Sequence, residues 1–193
     1  MSDLILDAAD GVIVPVHLLR DADVEAAIGA LGEQGRGLAA AQEFKGKAGQ
    51  VLLVPDAAGA VERVLYGVGQ GKASAVRALA AKLPRGTYEI VRKPDDITAD
   101  EAALAFALGS YRFDRYKKKP DERPRLLARG ADVAAVRAMA HACSLARDMI
   151  NTPPNDMGPL QIETIAREIA EQHGAAITVV TGCLLYTSDA ADE

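Results

Sequence analysis

One short segment, residues 147–159 (RDMINTPPNDMGP), constrains the fold of this 193-residue chain more than any other. A long alanine-rich run without proline precedes it, and an amphipathic run follows it. Pro153 and Pro154 cannot continue a helix, and each favours extended backbone in the residue before it. Asn155 can accept hydrogen bonds from nearby backbone amides, and Pro159 suits the first position of a helix. The segment therefore predicts one helix that ends before the prolines and a second that begins after them.

Apolar runs and turn residues alternate along the rest of the chain, and they predict the other elements. We expect strands at residues 11–17, 51–54, 63–68, 87–92, 125–128 and 176–181. We expect helices at residues 21–31, 72–83, 99–116, 132–150 and 160–173, with a helical turn at the start of residues 35–50. Because strands and helices alternate, an α/β fold with a layered sheet is the most economical arrangement.

The composition is that of an ordinary globular protein, and it is not typical of a membrane protein or a nucleic-acid-binding protein. Apolar residues make up 49% and charged residues 25%, and the formal net charge is −5. No apolar run approaches the ~20 residues of a membrane span. Residues 4–6 are too short for the apolar core of a signal peptide, and aspartates flank them. Outside the last eleven residues Cys143 has no second cysteine with which to form a disulfide, so we predict a cytoplasmic protein.

A glycine-rich turn at residues 67–72 (GVGQGK) follows a predicted strand and precedes a predicted helix. It matches neither phosphate-binding pattern, because Tyr66 stands where a Walker loop needs glycine and Lys72 where a dinucleotide fingerprint needs one. A tight strand-to-helix turn explains the glycines. The alternative is an anion site on free amides at the start of the helix.

A basic run at residues 112–129 is the second candidate binding segment. Three acids and two aromatic residues lie within it, and Tyr111 lies directly before it. Its eight basic residues are Arg112, Arg115, Lys117, Lys118, Lys119, Arg123, Arg125 and Arg129. Basic residues interleaved with aromatics can contact nucleic acid. A solvated helix end followed by a loop is the other interpretation, since lysines at a helix C-terminus suit its dipole.

No set of residues has the spacing of a metal centre. His17, His141 and His173 are scattered, and we interpret them as structural. Two-metal hydrolysis needs several carboxylates around a pair of ions. After Pro154 and before the last eleven residues, the chain offers only four carboxylates: Asp156, Glu163, Glu168 and Glu171. The last three share the wet face of one helix. We therefore assign no catalytic, cofactor-binding or metal-ligating residue in this chain.

The junction segment resembles the domain junction of the leucyl (cytosol) aminopeptidase family, where an R-D-x-x-N-T-P-x-N-x-x-x-P run marks the entry to the catalytic domain. Three earlier segments resemble the N-terminal domain of that family in the same order: residues 35–49, 64–70 and 108–118. The resemblance implies a macrodomain-like N-terminal α/β domain at residues 1–131 and a connector helix at residues 132–150. It also implies the start of an α/β catalytic domain at residues 151–182.

The same resemblance implies a metalloaminopeptidase that releases N-terminal residues from peptides with two divalent ions (manganese, zinc or magnesium) and assembles as a homohexamer. The family's metal-binding and catalytic residues lie beyond the part of the family that this chain resembles, so we expect this chain to be inactive and metal-free. Macrodomains bind ADP-ribose, so a phosphate-ligand module that uses residues 67–72 is the alternative function. Some bacterial members of the family bind DNA, and residues 112–129 would be the DNA-binding segment of this chain.

The last eleven residues, 183–193 (CLLYTSDAADE), resemble a translated sequencing adapter rather than a continuation of the fold. We therefore leave them out of the fold prediction. Without their three acids the net charge falls to −2, which says little about partners. On this interpretation the natural sequence ends at Gly182 and is an N-terminal fragment.

Overall fold

The computed structural model describes residues 4–117 and 122–180. The segment resembling an adapter lies outside the described residues, as do Lys118 and Lys119 of the basic run. Six strands are present: β1 (Ile5–Leu6), β2 (Ile13–Leu19), β3 (Val51–Pro55), β4 (Val61–Gly67), β5 (Thr87–Arg92) and β6 (Arg125–Leu127). Five α-helices accompany them: α1 (Val24–Gly29), α2 (Glu33–Ala41), α3 (Ala99–Gly109), α4 (Val133–Asn151) and α5 (Pro159–His173). The α/β fold class is confirmed, and the macrodomain likeness stays a prediction.

Three predicted elements differ from the structure. The helix expected at residues 99–116 ends at Gly109, where the Ser110 hydroxyl donates to the Phe106 carbonyl at 2.9 Å and helps to close the last turn. The helix expected at residues 72–83 is reduced to the 3-10 helix Ala73–Ala78. Residues 176–180 form no strand, because no neighbouring strand hydrogen-bonds to them among the described residues. The apolar alternation there therefore does not become a sheet element.

One element is longer than the sequence indicated, and another was not predicted. The glycine-rich stretch that was expected to begin with a single helical turn contains the nine-residue helix α2. The two-residue strand β1 was not predicted, since it is too short to give a periodic pattern. It adds to the edge of the sheet by parallel pairing with β6.

The strands form one mixed sheet in the order β1-β6-β5-β2-β4-β3. Only β3 runs antiparallel, and it pairs with β4 across a short turn. Asp56 organises that turn, since its carboxylate accepts from the amides of Ala58 and Ala60 at 2.8 and 2.9 Å. The other neighbours are parallel and joined by crossovers, which places their carboxyl ends at one edge of the sheet.

Helices cover the two faces of the sheet unequally. One face packs against α1 and α2 through a small cluster that includes Leu19, Leu52 and Leu65. The other face packs against α3, the 3-10 helix Ala73–Ala78 and the first half of α4 through the larger core, which contains Tyr66 and Phe106. The chain therefore leaves β2 toward the first face and leaves β5 toward the second. Because β2 and β5 are neighbours, a crevice is expected between their carboxyl ends.

The chain divides into two compact units, residues 1–146 and 147–193. The first contains the sheet and its two cores. The described part of the second contains the end of α4, the junction segment, α5 and residues 174–180. In α5 the predicted apolar stripe is present in sequence but is only partly covered: Ile162 is 48% exposed and Ile169 39%, while Ala170 is buried.

Candidate functional site

The junction segment forms a compact turn whose geometry follows from its residue types. Thr152 ends α4, with its amide and hydroxyl both donating to the Asp148 carbonyl at 3.0 and 2.6 Å. The Asp156 amide then donates to the Pro153 carbonyl at 2.9 Å. Gly158 caps α5, its amide donating to the Gln161 side chain at 3.1 Å, and proline follows at the first helical position. The helix end and helix start predicted from the prolines are therefore present.

No metal centre is assembled by the part of the chain that the structure describes. No group of three histidine, cysteine, aspartate or glutamate side chains is close enough to hold an ion there. Glu163 instead pairs with Arg167 one turn along α5, at 2.8 Å. His141 and His173 are exposed, and Cys143 is a free, half-buried thiol on α4. The described residues thus do not fit a two-metal site.

The turn at residues 67–72 is held by backbone contacts on several sides. The Val68 amide donates to the Leu19 carbonyl at 2.9 Å, and the Gly69 amide to the Gly46 carbonyl at 3.3 Å. The Gly71 amide donates to the Val68 carbonyl at 3.0 Å. These amides are therefore already used, which removes most of the donors that an anion site would need. The following 3-10 helix has only six residues and lacks a regular α-helical start.

Close backbone packing explains the glycines of this turn without a ligand. A Cβ at Gly67 would overlap the carbonyl of Gly46, and one at Gly69 would lie 3.0 Å from the Ala48 amide nitrogen. Gly69 also has a positive φ of 54°, where glycine is favoured. The ADP-ribose alternative thus receives no support from this turn.

The crevice between the carboxyl ends of β2 and β5 is lined mostly by charged residues and has a volume of about 490 Å3. Arg20 spans it: one guanidinium nitrogen lies 2.6 Å from Asp96, and another donates to the Gly69 carbonyl at 2.9 Å. Arg92 pairs with Asp23 at 2.8 Å on the other wall. Hydrogen bonding to Arg20 lowers the pKa of the Asp96 carboxyl from its usual value.

These ion pairs determine which charged ligands the crevice can bind. Its cations face carboxylates, and Lys93 donates to the Ile97 carbonyl at 2.6 Å. The walls therefore carry no surplus positive charge for a phosphate group. The contacts join residues 49 and 76 positions apart in the chain. Sequence reasoning missed this crevice, and the signal that could have found it is the pair of charged residues that follow β2 and β5.

His17 lies on β2 with two arginines nearby. Its register partners are Leu65 in β4 and Arg92 in β5, and Arg63 precedes Leu65 by two positions and so shares its face of the sheet. Burial lowers the pKa of His17 below its ordinary value of 6.5, and the positive charges of Arg63 and Arg92 lower it further. We interpret it as a neutral, structural histidine.

A pH titration tests that interpretation. Since the folded chain resists protonation of His17, the unfolded chain binds that proton more readily, and stability should fall as pH drops below about 6.5. Imidazole NMR of an Arg63→Gln variant should show the pKa of His17 moving up toward 6.5, but not reaching it because burial remains. Arg77→Gln, which changes an exposed arginine on the 3-10 helix, should leave it unmoved. A His17 titration identical in both variants would contradict the assignment of Arg63.

The basic run does not form one continuous positive surface among the described residues. Arg112 pairs with Asp114 at 2.5 Å, and Arg129 pairs with Glu89 at 2.8 Å. Phe113 and Tyr116 contact each other edge to face, with ring centroids 5.9 Å apart. Arg123 and Arg125 lie at the opposite edge of the sheet from the crevice, beside Arg85. The described cations of the run therefore lie in separate places rather than on one surface.

The fold and the junction together define an N-terminal α/β domain that leads through a long helix into a second unit. The family model for the M17 aminopeptidase N-terminal domain matches residues 14–128. A "Probable cytosol aminopeptidase" of Wolinella succinogenes is 30% identical over 67% of this chain and 31% of its own length. Another of that name, from Synechococcus sp. (strain CC9605), is 31% identical over 84% of this chain and 38% of its own length.

Solved structures agree. The cytosol aminopeptidase from Coxiella burnetii superimposes with a TM-score of 0.84 and 27% identity, covering 96% of this chain and 41% of that one. The bottromycin maturation enzyme BotP in complex with Mn shares the fold, with a TM-score of 0.64 at 22% identity, over 90% of this chain and 39% of its own.

The chain belongs to the M17 aminopeptidase family, which confirms the resemblance of the junction and the N-terminal segments to cytosol aminopeptidases. It spans only about a third of the length of the curated relatives named here. No helix in the described parts is both long and apolar enough to cross a membrane.

Proposed function

We propose that this chain is the N-terminal part of a metal-dependent leucyl aminopeptidase that releases N-terminal residues from peptides. The observation that carries the proposal is the order of its parts. A sheet domain matched by the family model is followed by α4, the junction turn and α5. The segments that resemble cytosol aminopeptidases occur in the same order. The parent enzyme would use two divalent ions of manganese, zinc or magnesium, held by residues outside this chain.

In this proposal the domains have the boundaries predicted from the sequence. Residues 1–131 form the N-terminal domain, residues 132–150 the connector, and residues 151–182 the opening of the catalytic domain; residues 183–193 are a non-native tail. The parent would act in the cytoplasm on peptide substrates and assemble as a homohexamer. By itself the chain would be a non-catalytic fragment, since the resemblance places the family's metal-binding and catalytic residues outside this chain.

The surface of α5 supports this interpretation. Leu160 is 67% exposed, and the apolar stripe that continues along the helix stays half-uncovered. Large apolar side chains repeated along one helix face are typical of a surface that packs against further protein. In the proposed parent, the rest of the catalytic domain supplies that protein.

A peptidase assay with a metal titration tests the proposal. The purified 193-residue chain should release no p-nitroaniline from leucine p-nitroanilide in the presence of Mn2+ or Zn2+, and calorimetry should detect no tight binding of either ion. The matched positive control is the Coxiella burnetii cytosol aminopeptidase under the same conditions. Metal-dependent turnover by this chain, abolished by a chelator, would show that its own residues form an active site.

A further inference from the structure

We draw no further inference here: the strongest candidate, the half-uncovered apolar face of α5 that includes Leu160, Ile162 and Ile169, carries none, because nothing in the structure shows what covers it.

Discussion

Gly67→Ala is expected to destabilise the first unit by about 3 kcal/mol or more, at the upper end of what an added methyl group costs in a packed interior. Gly67 is the last residue of β4, and its α-carbon faces the loop that precedes β3. A Cβ there would overlap the backbone carbonyls of Gly46 and Lys47. Backbone atoms cannot rotate away as a flexible side chain would, so β4 or the loop must shift.

Such a shift would break the hydrogen bonds that join the loop to the strand. The Gly67 amide donates to the Gln50 carbonyl, and the Gly49 amide donates to the Gly67 carbonyl, both at 2.9 Å. Gln50 in turn accepts with its side chain from the amides of Lys45 and Lys47 at 2.9 and 3.0 Å. One methyl group therefore disturbs a whole loop.

A thermal melt of Gly67→Ala should show a midpoint lowered by about 10 °C, given the entropy of unfolding of a domain of this size. Gly37→Ala is the matched control. Gly37 lies inside α2 with open space where its Cβ would be, so alanine there should stabilise the helix by up to about 1 kcal/mol. A Gly67→Ala variant as stable as Gly37→Ala would mean that the loop at residues 46–50 does not pack on β4 as described.

Local sequence signals predicted the elements whose boundaries are set by local chemistry. Strand β5 has the predicted bounds, because Gly86 precedes its alternating residues and Pro94 follows them closely. Helices α4 and α5 begin and end within a residue of the prediction, because the prolines of the junction and Gly174, with its positive φ of 64°, act on their immediate neighbours. Thr98 likewise marks the start of α3 through a capping box with Glu101.

Signals that depend on distant contacts were not available in the sequence. The end of α3 at Gly109 coincides with close packing on the Arg77 carbonyl, 32 residues earlier, which a Cβ at Gly109 would overlap. The apolar alternation of residues 176–180 predicted a strand, yet strand formation also needs a neighbour to pair with. The candidate sites follow the same rule. The charged crevice is assembled from residues that only the sheet order brings together.

The family could be inferred from sequence because its evidence is a local, ordered set of segments. The chemistry could not, because the described residues contain no converging set of metal ligands. The proposed catalytic role is therefore inferred from the relatives and not from side chains of this chain.

Phe106→Ala is expected to cost about 3–5 kcal/mol, the usual range for emptying a buried aromatic site. Phe106 is fully buried on α3, and the other buried residues of that helix are alanines. It joins α3 to the larger core, which also includes Tyr66, Tyr88 and Leu79. Since small domains are stable by only about 5–15 kcal/mol, the loss is a large share of the total.

Alanine-lined helices have little capacity to compensate for this loss. The neighbouring positions Ala102, Ala103 and Ala107 carry only methyl groups, which cannot extend into the space that the ring leaves. Urea unfolding should therefore show a much lower midpoint for Phe106→Ala at an unchanged slope. Phe113→Ala is the matched control, because Phe113 is half-buried and contacts Tyr116 only edge to face, a pair worth about 0.5–1.5 kcal/mol. Equal losses in the two variants would contradict the assignment of Phe106 to the centre of the core, because burial is what separates the two rings.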